Sequence, residues 1–396
     1  MNSESASIES TLERRLNIEL ERASAAALYR RRRVVDGQHG VALVVDGREV
    51  VNFCSNDYLG LASDPRLAAA AAIAAGQCGW GSGASALVSG YNREHQALEE
   101  ALAAYVGRPR ALLFSSGWAA NLGVLRSLFG REDALLCDEL NHASLIDGAR
   151  LSGARYVRIS HCDTSGYESA LQMMQPAENV GIVTDSIFSM DGDSADVPAL
   201  AAMAQRHQAT LIVDDAHGFA VSAETNPAMR EAEVYIATLG KSLGSAGAFV
   251  AGSETLIEYL IQRARTWVFS TAPPPAAAAV AHAALRLITS EPEHQQRLRA
   301  NIDHFRAAAS ARSLPITASR TPIQPLILGE ASRALALSHA LDRNGFWVAA
   351  IRPPTVPAGT SRLRITLSAA HRPDQIDALV DTLASLMPQF PSESEV

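Results

Sequence analysis

Residues 210–218 read TLIVDDAHG, residues 234–244 read VYIATLGKSLG, and these two stretches decide the fold. Each begins with a short apolar run rich in β-branched residues, which is typical of a buried strand. Each then changes to polar residues and glycine. In an open α/β sheet, the carboxyl ends of parallel strands present their side chains to a ligand. The two stretches therefore predict that Asp214 and Lys241 lie at one edge of the same sheet.

Strand-like segments alternate with alanine-rich helical segments up to about residue 280. The other candidate strands read ALLFSS, ALLCDE, RYVRIS, VGIVTDS and AFVAGS. This alternation predicts an α/β fold with a mainly parallel sheet covered by helices on both faces. A long helical region near residues 276–311 then leads to strands near IQPLILG and RLRITLS. We expect an N-terminal helix and short β segment over residues 1–50, a large domain over 51–280 and a small α+β domain over 281–396.

Composition and charge restrict the class of protein. The chain has 47% hydrophobic and 19% charged residues and a net charge of −8, so we expect a globular protein without general affinity for nucleic acid or anionic membranes. The four cysteines are far apart and form no C-x-x-C pair, so neither a disulfide framework nor a metal site is predicted. The N-terminus contains no apolar run long enough for a signal peptide or a membrane span. A cytoplasmic location is expected.

A charged segment from about Ile8 to Arg33 is predicted to be a helix that ends in four consecutive arginines. Cations at that position suit the negative end of the helix dipole. The run is interpreted either as a solvated helix end or as a place where one arginine faces a ligand.

Lys241 is the centre of the predicted site. Glycines on both sides would let the backbone pass close to a planar cofactor, and a desolvated lysine can attack an aldehyde to form a Schiff base. Pyridoxal phosphate (PLP) provides such an aldehyde, and its ring nitrogen requires a buried carboxylate, for which Asp214 is the candidate. A strand-end aspartate can also be a helix cap, but its place in D-D-A-H-G before a G-K pair favours the cofactor role.

Three other segments have both a ligand-binding and a simpler interpretation. Residues 115–121, SSGWAAN, lie between a strand and a helix, where backbone N–H groups either bind phosphate or receive an ordinary N-cap. His142 either stacks on a cofactor ring or is a satisfied core histidine. Ser189 in FSMDGD either contacts the cofactor or is a turn hydroxyl.

Motifs along nearly the whole chain resemble the α-oxoamine synthase family of fold-type-I PLP enzymes. They occur in the family's order and read NFCSNDYLGL, GSGASALVSGY, HQALEEALA, NHASLIDGAR, FSMDGD, VDDAHG and LGKSLG. The resemblance implies a large domain with a seven-stranded, mainly parallel sheet, a smaller C-terminal domain, and a homodimer with its active site at the subunit interface.

The resemblance also implies a role for each candidate residue. Lys241 would bind PLP covalently, Asp214 would face the ring nitrogen, and His217 and Ser189 would hydrogen-bond the phenolic oxygen. The expected phosphate contacts are Gly117, Trp118 and Thr238, and His142 would stack on the ring and act in catalysis with Lys241 and Asp214. The expected substrate contacts are Arg30, His142, Arg352 and Thr355, with Arg352 the bidentate partner of the amino-acid carboxylate. Asp185, where relatives often have Glu, and the Ser-Leu pair after Lys241 depart from the family pattern.

Residues 351–366, IRPPTVPAGTSRLRIT, are similar to the biotin-pathway branch of that family. This similarity implies condensation of L-alanine with a pimeloyl thioester, carried on CoA or acyl carrier protein, to give 8-amino-7-oxononanoate, carbon dioxide and free thiol. The alternatives are another α-oxoamine synthase such as a glycine C-acetyltransferase, a PLP aminotransferase, or a non-catalytic protein with the same fold.

Overall fold

The computed structural model describes residues 10–174, 179–222 and 226–391. The described N-terminal segment contains a helix and short strands, which are α1 (Thr11–Ala25), β1 (Val35–Asp36), β2 (Ala42–Val45) and β3 (Arg48–Asn52). β2 and β3 form a hairpin. Its turn residues Asp46 and Gly47 both have positive φ, as a tight two-residue hairpin requires.

The predicted first helix is wrong at its C-terminal end. Ile8 lies outside the described residues, but α1 ends at Ala25, and the four arginines lie beyond it in non-helical chain. Ala27 has φ of 56°, which reverses the chain after the helix. Arg33 is then held by ion pairs with Asp46 and Asp342, so tertiary contacts rather than a helix end fix this segment.

The large sheet matches the strand predictions almost residue for residue. Its strands are β4 (Arg110–Phe114), β5 (Ala134–Asp138), β6 (Arg155–Ile159), β7 (Val180–Asp185), β8 (Thr210–Asp214), β9 (Val234–Thr238) and β10 (Ala248–Gly252). Within the described ranges this sheet has seven strands in the order β4-β10-β9-β8-β7-β5-β6, and only β10 runs antiparallel to its neighbours. The predicted fold class is confirmed.

Helices cover both faces of this sheet. They are α2 (Pro65–Cys78), α3 (Arg93–Tyr105), α4 (Gly117–Leu128), α5 (Ala143–Ser152), α6 (Thr164–Gln172), α7 (Val197–His207), α8 (Pro227–Glu231), α9 (Glu254–Arg263), α10 (Arg265–Val268) and α11 (Pro275–Ser290). The strands β5, β7 and β8 are buried along their whole length or nearly so, which explains why they read as continuous apolar runs. None of the described helices is long and apolar enough to cross a bilayer.

The C-terminal region forms a smaller α+β unit. Its elements are α12 (Glu293–Ala311), β11 (Ile323–Gly329), α13 (Ala331–Arg343), β12 (Phe346–Trp347), β13 (Ala349–Ile351), β14 (Ser361–Thr366) and α14 (Pro373–Leu386). β14 lies between β11 and β13 in one sheet, whereas β12 pairs with β3 of the N-terminal segment. The N-terminal strands thus pack with the C-terminal unit, and the domain boundaries at residues 50 and 280 stay a prediction.

The turn after β9 packs tightly against the backbone of residues 61–62. Gly244, whose N–H donates to Lys241 O at 2.9 Å, has φ of 60°. A Cβ added to it would meet Ala62 N at 2.5 Å and Ala62 Cα at 2.7 Å. Only glycine therefore fits both the conformation and the space.

We expect Gly244→Ala to destabilise the protein more than Gly47→Ala. Gly47 also has positive φ, but a Cβ there meets none of the described atoms within 4 Å. Gly47→Ala should cost only the left-handed strain, about 1–2 kcal/mol, whereas Gly244→Ala adds a backbone clash and should cost about 2–4 kcal/mol. Denaturant titration followed by circular dichroism measures both values. Equal losses would contradict the tight packing of this turn.

Candidate active site

The candidate site lies at the carboxyl edge of the large sheet. Asp214 ends β8, Thr238 ends β9 and Asp185 ends β7, and because these strands are parallel their ends meet at the same edge. The side chain of Lys241 enters this edge from the turn after β9. The structure thus brings together the residues that the sequence placed at strand ends.

A chain of hydrogen bonds fixes Lys241 and His217. Lys241 Nζ lies 2.8 Å from His217 Nε2, and His217 Nδ1 lies 2.6 Å from the Tyr58 hydroxyl. The Tyr58 hydroxyl donates to Asn56 Oδ1 at 3.1 Å, so its oxygen accepts from His217 Nδ1–H. Nε2 then has a free lone pair, which accepts from the Lys241 amine.

Burial makes this amine less basic than an ordinary lysine. Desolvation lowers the pKa of Lys241 to about 8. The negative charges of Asp214 and Asp185 raise this pKa, and the positive charge of Arg364 lowers it, but burial has the largest effect. Burial, followed by the charges of Lys241 and Arg364, also holds the pKa of His217 well below its usual value. Neutral His217 is therefore an acceptor beside an amine that loses its proton near physiological pH.

Lys241 is also the only lysine in the chain, whose other basic side chains at neutral pH are arginines. Arginine cannot be deprotonated in a protein, so it cannot act as an amine nucleophile or proton acceptor. The sequence interpretation did not use this signal, which singles out Lys241 without any motif.

A second network orients Asp214. Its Oδ2 accepts from Asn121 Nδ2 at 2.7 Å and its Oδ1 accepts from the Ala216 N–H at 2.9 Å. Asn121 Nδ2 also donates to Ser144 Oγ at 2.8 Å, and that hydroxyl lies 2.7 Å from His142 Nδ1. His142 is thereby tied to Asp214 through two side chains. Sequence reasoning gave Asn121 no role because a helical asparagine has no distinctive pattern.

Asp185 lies beside Asp214 at the neighbouring strand end. It is buried, and its Oδ2 accepts from the backbone N–H of His142 at 2.6 Å. Burial, and then the negative charge of Asp214, raise the pKa of Asp185 well above its usual value. This position thus takes up a proton more readily than an ordinary aspartate.

The N-terminus of α4 lies at the same edge of the sheet and directs its first backbone N–H groups toward it. Ser116 Oγ accepts from the Ala119 N–H at 3.2 Å, so the N-cap interpretation of this segment is confirmed. The first N–H groups of the helix have no intrahelical acceptor, and phosphate binding by them stays a prediction. A Cβ on Gly117 would meet no described atom within 4 Å, and the Trp118 ring packs edge-on against the His142 ring at 6.0 Å. Thr238 Oγ1 donates to Gly247 O at 3.1 Å in the turn before Lys241.

Ser189 lies in a turn that faces β14. Its carbonyl accepts from Arg364 Nε at 2.5 Å, and Arg364 Nη1 donates to Asn56 Oδ1 at 3.1 Å. Arg362, on the same face of β14, pairs with Asp191 of the same turn. The sequence interpretation missed Arg364. The signal was available, since charges alternate with apolar residues in RLRIT, a strand that the structure buries completely.

The predicted substrate residues Arg30, Arg352 and Thr355 form a separate cluster. Arg30 Nη2 donates to Thr355 Oγ1 at 3.2 Å, while Arg352 donates to the carbonyls of Ala27 and Tyr29. Burial, and then the charge of Arg30, lower the pKa of Arg352. In the described parts of the chain, neither arginine has a carboxylate partner.

Known proteins match this fold and this site. Residues 48–383 match the sequence profile of the family described as Aminotransferase class I and II. An 8-amino-7-oxononanoate synthase from Methylococcus capsulatus is 51% identical over 378 residues, which cover 93% of this chain and 97% of the relative. The chain belongs to the 8-amino-7-oxononanoate synthase family. The resemblance seen in the motifs is thereby confirmed, and with it membership of a family of PLP-dependent acyltransferases.

Solved structures agree with this assignment. A serine palmitoyltransferase from S. paucimobilis, solved with bound PLP and myriocin, has a TM-score of 0.89 at 25% identity and covers 96% of this chain and 99% of its own. An 8-amino-7-oxononanoate synthase from Francisella tularensis has a TM-score of 0.74 at 29% identity and covers 86% of this chain and 98% of its own. The fold is the type I fold of PLP-dependent enzymes.

We expect Lys241 in the cofactor-free protein to become reactive at about pH 8. Acetic anhydride modifies only deprotonated amines, so labelling of the Lys241 peptide should rise with a midpoint near that pH instead of the ordinary lysine value of roughly 10.4. Mass spectrometry of the peptide at each pH measures the midpoint, and the unfolded protein is the control. A midpoint above about 10 in the folded protein would contradict the desolvation of this amine.

Proposed function

We propose that this chain catalyses the PLP-dependent condensation of L-alanine with a pimeloyl thioester on CoA or acyl carrier protein. The products are 8-amino-7-oxononanoate, carbon dioxide and free thiol, in biotin biosynthesis. One observation carries the proposal. Lys241, the only lysine in the chain, lies beside the neutral His217 at the same edge of the sheet as the buried Asp214. The names of its relatives supply the substrates.

The chemistry of the donor set fits PLP. Lys241 would hold the cofactor through its amine, and the buried Asp214 carboxylate would pair with the ring nitrogen. The N–H groups of Gly117 and Trp118 would bind the phosphate, supported by Thr238. Ser189 would donate a hydrogen bond to the phenolic oxygen, His217 Nε2 would face that oxygen as an acceptor of the proton shared there, and His142 would lie against the ring. Bound PLP supplies an electron sink that stabilises negative charge at the amino-acid Cα.

Lys241 and His217 together handle the proton of the reaction. An amine whose pKa is about 8 is partly unprotonated at neutral pH, so Lys241 can accept the Cα proton of L-alanine and later return one. The His217 lone pair accepts a hydrogen bond from the amine in either state. Because Tyr58 fixes the tautomer of His217, this acceptor always faces Lys241.

We assign the carboxylate of L-alanine to Arg364. This guanidinium is buried, hydrogen-bonds Asn56, and is close enough to Lys241 and His217 to lower the pKa of both groups. Arg352 was the prediction from the sequence, but its guanidinium is directed at the backbone of residues 27–29. Arg30, Arg352 and Thr355 are instead proposed to contact the anionic acyl donor, for which two arginines without carboxylate partners are suited.

A homodimer is proposed on the basis of exposed apolar side chains. Trp80, Val88 and Phe269 are 72%, 78% and 71% exposed, and they lie on segments joined by the Ser85–Thr271 bridge. No residue of α1 is buried. Apolar surface of this kind marks a protein–protein contact. A monomeric mass in sedimentation velocity at working concentration would contradict the proposal.

The proposed location is the cytoplasm. The structure describes all four cysteines, and each is a free thiol, as expected in a reducing compartment. Recovery of the native chain from a periplasmic or secreted fraction would contradict this location.

We expect L-alanine with pimeloyl thioester to be the best pair in a screen of amino acids against acyl thioesters. Thiol release and product mass, measured in steady state, should show poor turnover of glycine and L-serine and of acetyl and succinyl donors. A single-methylene change in the acyl chain is worth about 1–3 kcal/mol, so donors of adjacent length should still react slowly. Faster turnover of glycine with acetyl-CoA would indicate a sister synthase. Keto acid formation without thiol release would indicate an aminotransferase.

We expect Arg364→Lys to raise the KM for L-alanine about tenfold or more, because lysine keeps the charge but loses the bidentate fork. Arg333→Lys is the control, since Arg333 also donates to backbone carbonyls but lies in the C-terminal unit at Leu328 and Phe390. Arg352→Lys should affect the thioester KM instead. A rise in the alanine KM with Arg352→Lys alone would reverse the assignment.

A further inference from the structure

The turn that carries Ser189 is held between the two domains. Within it, Phe188 N–H donates to Asp193 O at 3.0 Å and Gly192 N–H donates to Phe188 O at 2.9 Å. On the C-terminal side, Ser319 Oγ donates to Gly192 O at 2.7 Å, and Arg362 and Arg364 hold the other end of the turn. These contacts attach one side of the turn to the small domain, while Ser186 at its start donates from its N–H to Asp214 O of the large sheet at 2.9 Å.

His161 connects the other side of the turn to the large sheet. It follows β6 and lies between two carboxylates, with Nδ1 3.0 Å from Asp138 Oδ1 and Nε2 2.8 Å from Asp193 Oδ2. Its ring also packs edge-on against the Phe188 ring at 4.4 Å between centroids. Asp138 ends β5 and is buried, so the bridge runs from the core of the large sheet to the Ser189 turn.

The charge on His161 follows from its surroundings. Burial alone would lower its pKa, but hydrogen bonds with Asp138 and Asp193 outweigh burial and raise the pKa to about 12. Among the described residues, His161 also contacts Cys162, whose Sγ is 3.7 Å from Nε2, and Glu139, which accepts from the His161 backbone N–H. Glu139 is itself paired with Arg158.

The same side chains include atoms that can act as metal ligands when they are deprotonated. Asp138, His161 and Cys162 offer ligand atoms within 4.8 Å of one another. An imidazolium that donates from both nitrogens has no lone pair for a metal ion. Both His161 nitrogens face a carboxylate oxygen in this structure, an arrangement that corresponds to an ion bridge.

We propose that His161, clamped as an imidazolium between Asp138 and Asp193, is a positioning residue that fixes the Ser189 turn against the cofactor edge of the large sheet. The inference rests on the proposed function only through the contact of Ser189 with the cofactor. Because Asp138 comes from the sheet and Asp193 from the turn, removing the cation leaves two carboxylates without a cationic partner and frees the Asp193 side of the turn. Arg362 and Arg364 then still hold the turn to the small domain, but the Asp193 side of the turn loses its ion bridge to the sheet.

The test compares His161→Gln with a matched control, His304→Gln. His304 Nε2 lies 2.9 Å from Asp377 Oδ1, so the control also removes a histidine–aspartate pair, but one on α12 and α14. We expect His161→Gln to lower kcat about tenfold, because a displaced cofactor contact moves the reacting atoms out of alignment, and to leave the KM for L-alanine nearly unchanged. The control should change neither parameter.

Two readouts do not require turnover. The visible absorbance of the PLP-loaded resting enzyme should titrate at a different pH in His161→Gln, since Ser189 would no longer bind the phenolic oxygen in the same place. In the cofactor-free protein, amide hydrogen exchange of residues 188–193 should increase relative to wild type and to His304→Gln. The exchange measurement stands even if the proposed substrates are wrong, so failure of the two proposals can be told apart.

Asp193→Asn is the second variant, in case His161→Gln does not fold. The Asp193 side chain is 46% exposed, so this substitution is compatible with folding, and it should shift the same readouts in the same direction by a smaller amount. The proposal is overturned if both variants lower the melting temperature while the absorbance titration, kcat and the exchange of residues 188–193 match the control. Such a result would leave His161 a stabilising residue only.

Discussion

The hydrogen bond between Lys241 Nζ and His217 Nε2 joins the turn after β9 to the turn after β8, and the chemistry of the site depends on it. A buried amine needs an acceptor, but a carboxylate at the same distance would raise its pKa and hold it protonated. A neutral imidazole accepts the hydrogen bond without raising the pKa of the amine in this way. Tyr58 and Asn56 orient the imidazole, so residues far apart in sequence determine the protonation state of one amine.

Charges at the strand ends set the second constraint. Asp185 and Asp214 are buried on adjacent parallel strands, where two like charges cannot both be ionised without cost. Burial, and then the charge of Asp214, raise the pKa of Asp185, so Asp185 takes up a proton more readily than an ordinary aspartate. Asp214 instead receives N–H donors from Asn121 and Ala216, an arrangement that favours a carboxylate facing a positively charged ring nitrogen.

Residues 53–58 connect the two domains at the site. The Thr366 N–H donates to Phe53 O at 2.7 Å and the Ala369 N–H donates to Tyr58 O at 2.8 Å, so this segment is aligned by the end of β14. The same segment supplies Asn56 and Tyr58 to the histidine network. The proposed roles of Arg364 in substrate binding and of Lys241 in proton transfer therefore depend on the same stretch of backbone. Any shift of the small domain would change both.

The sequence by itself determined the large sheet, its strand limits and the strand-end positions of Asp214 and Lys241, because buried parallel strands leave continuous apolar runs that local patterns reveal. It also determined the family, since several motifs occur in the right order. Only the tertiary structure decided which arginine faces Lys241, where α1 ends, and that Tyr58, Asn121 and His161 hold the site residues in place. Those outcomes depend on contacts between residues dozens to hundreds of positions apart, such as Arg364 with Ser189 and Arg33 with Asp342, and such contacts leave no periodicity in the chain. A single sequence records which residues are apolar and where turns fall, whereas the partner of a buried polar group is fixed only when the domains pack together.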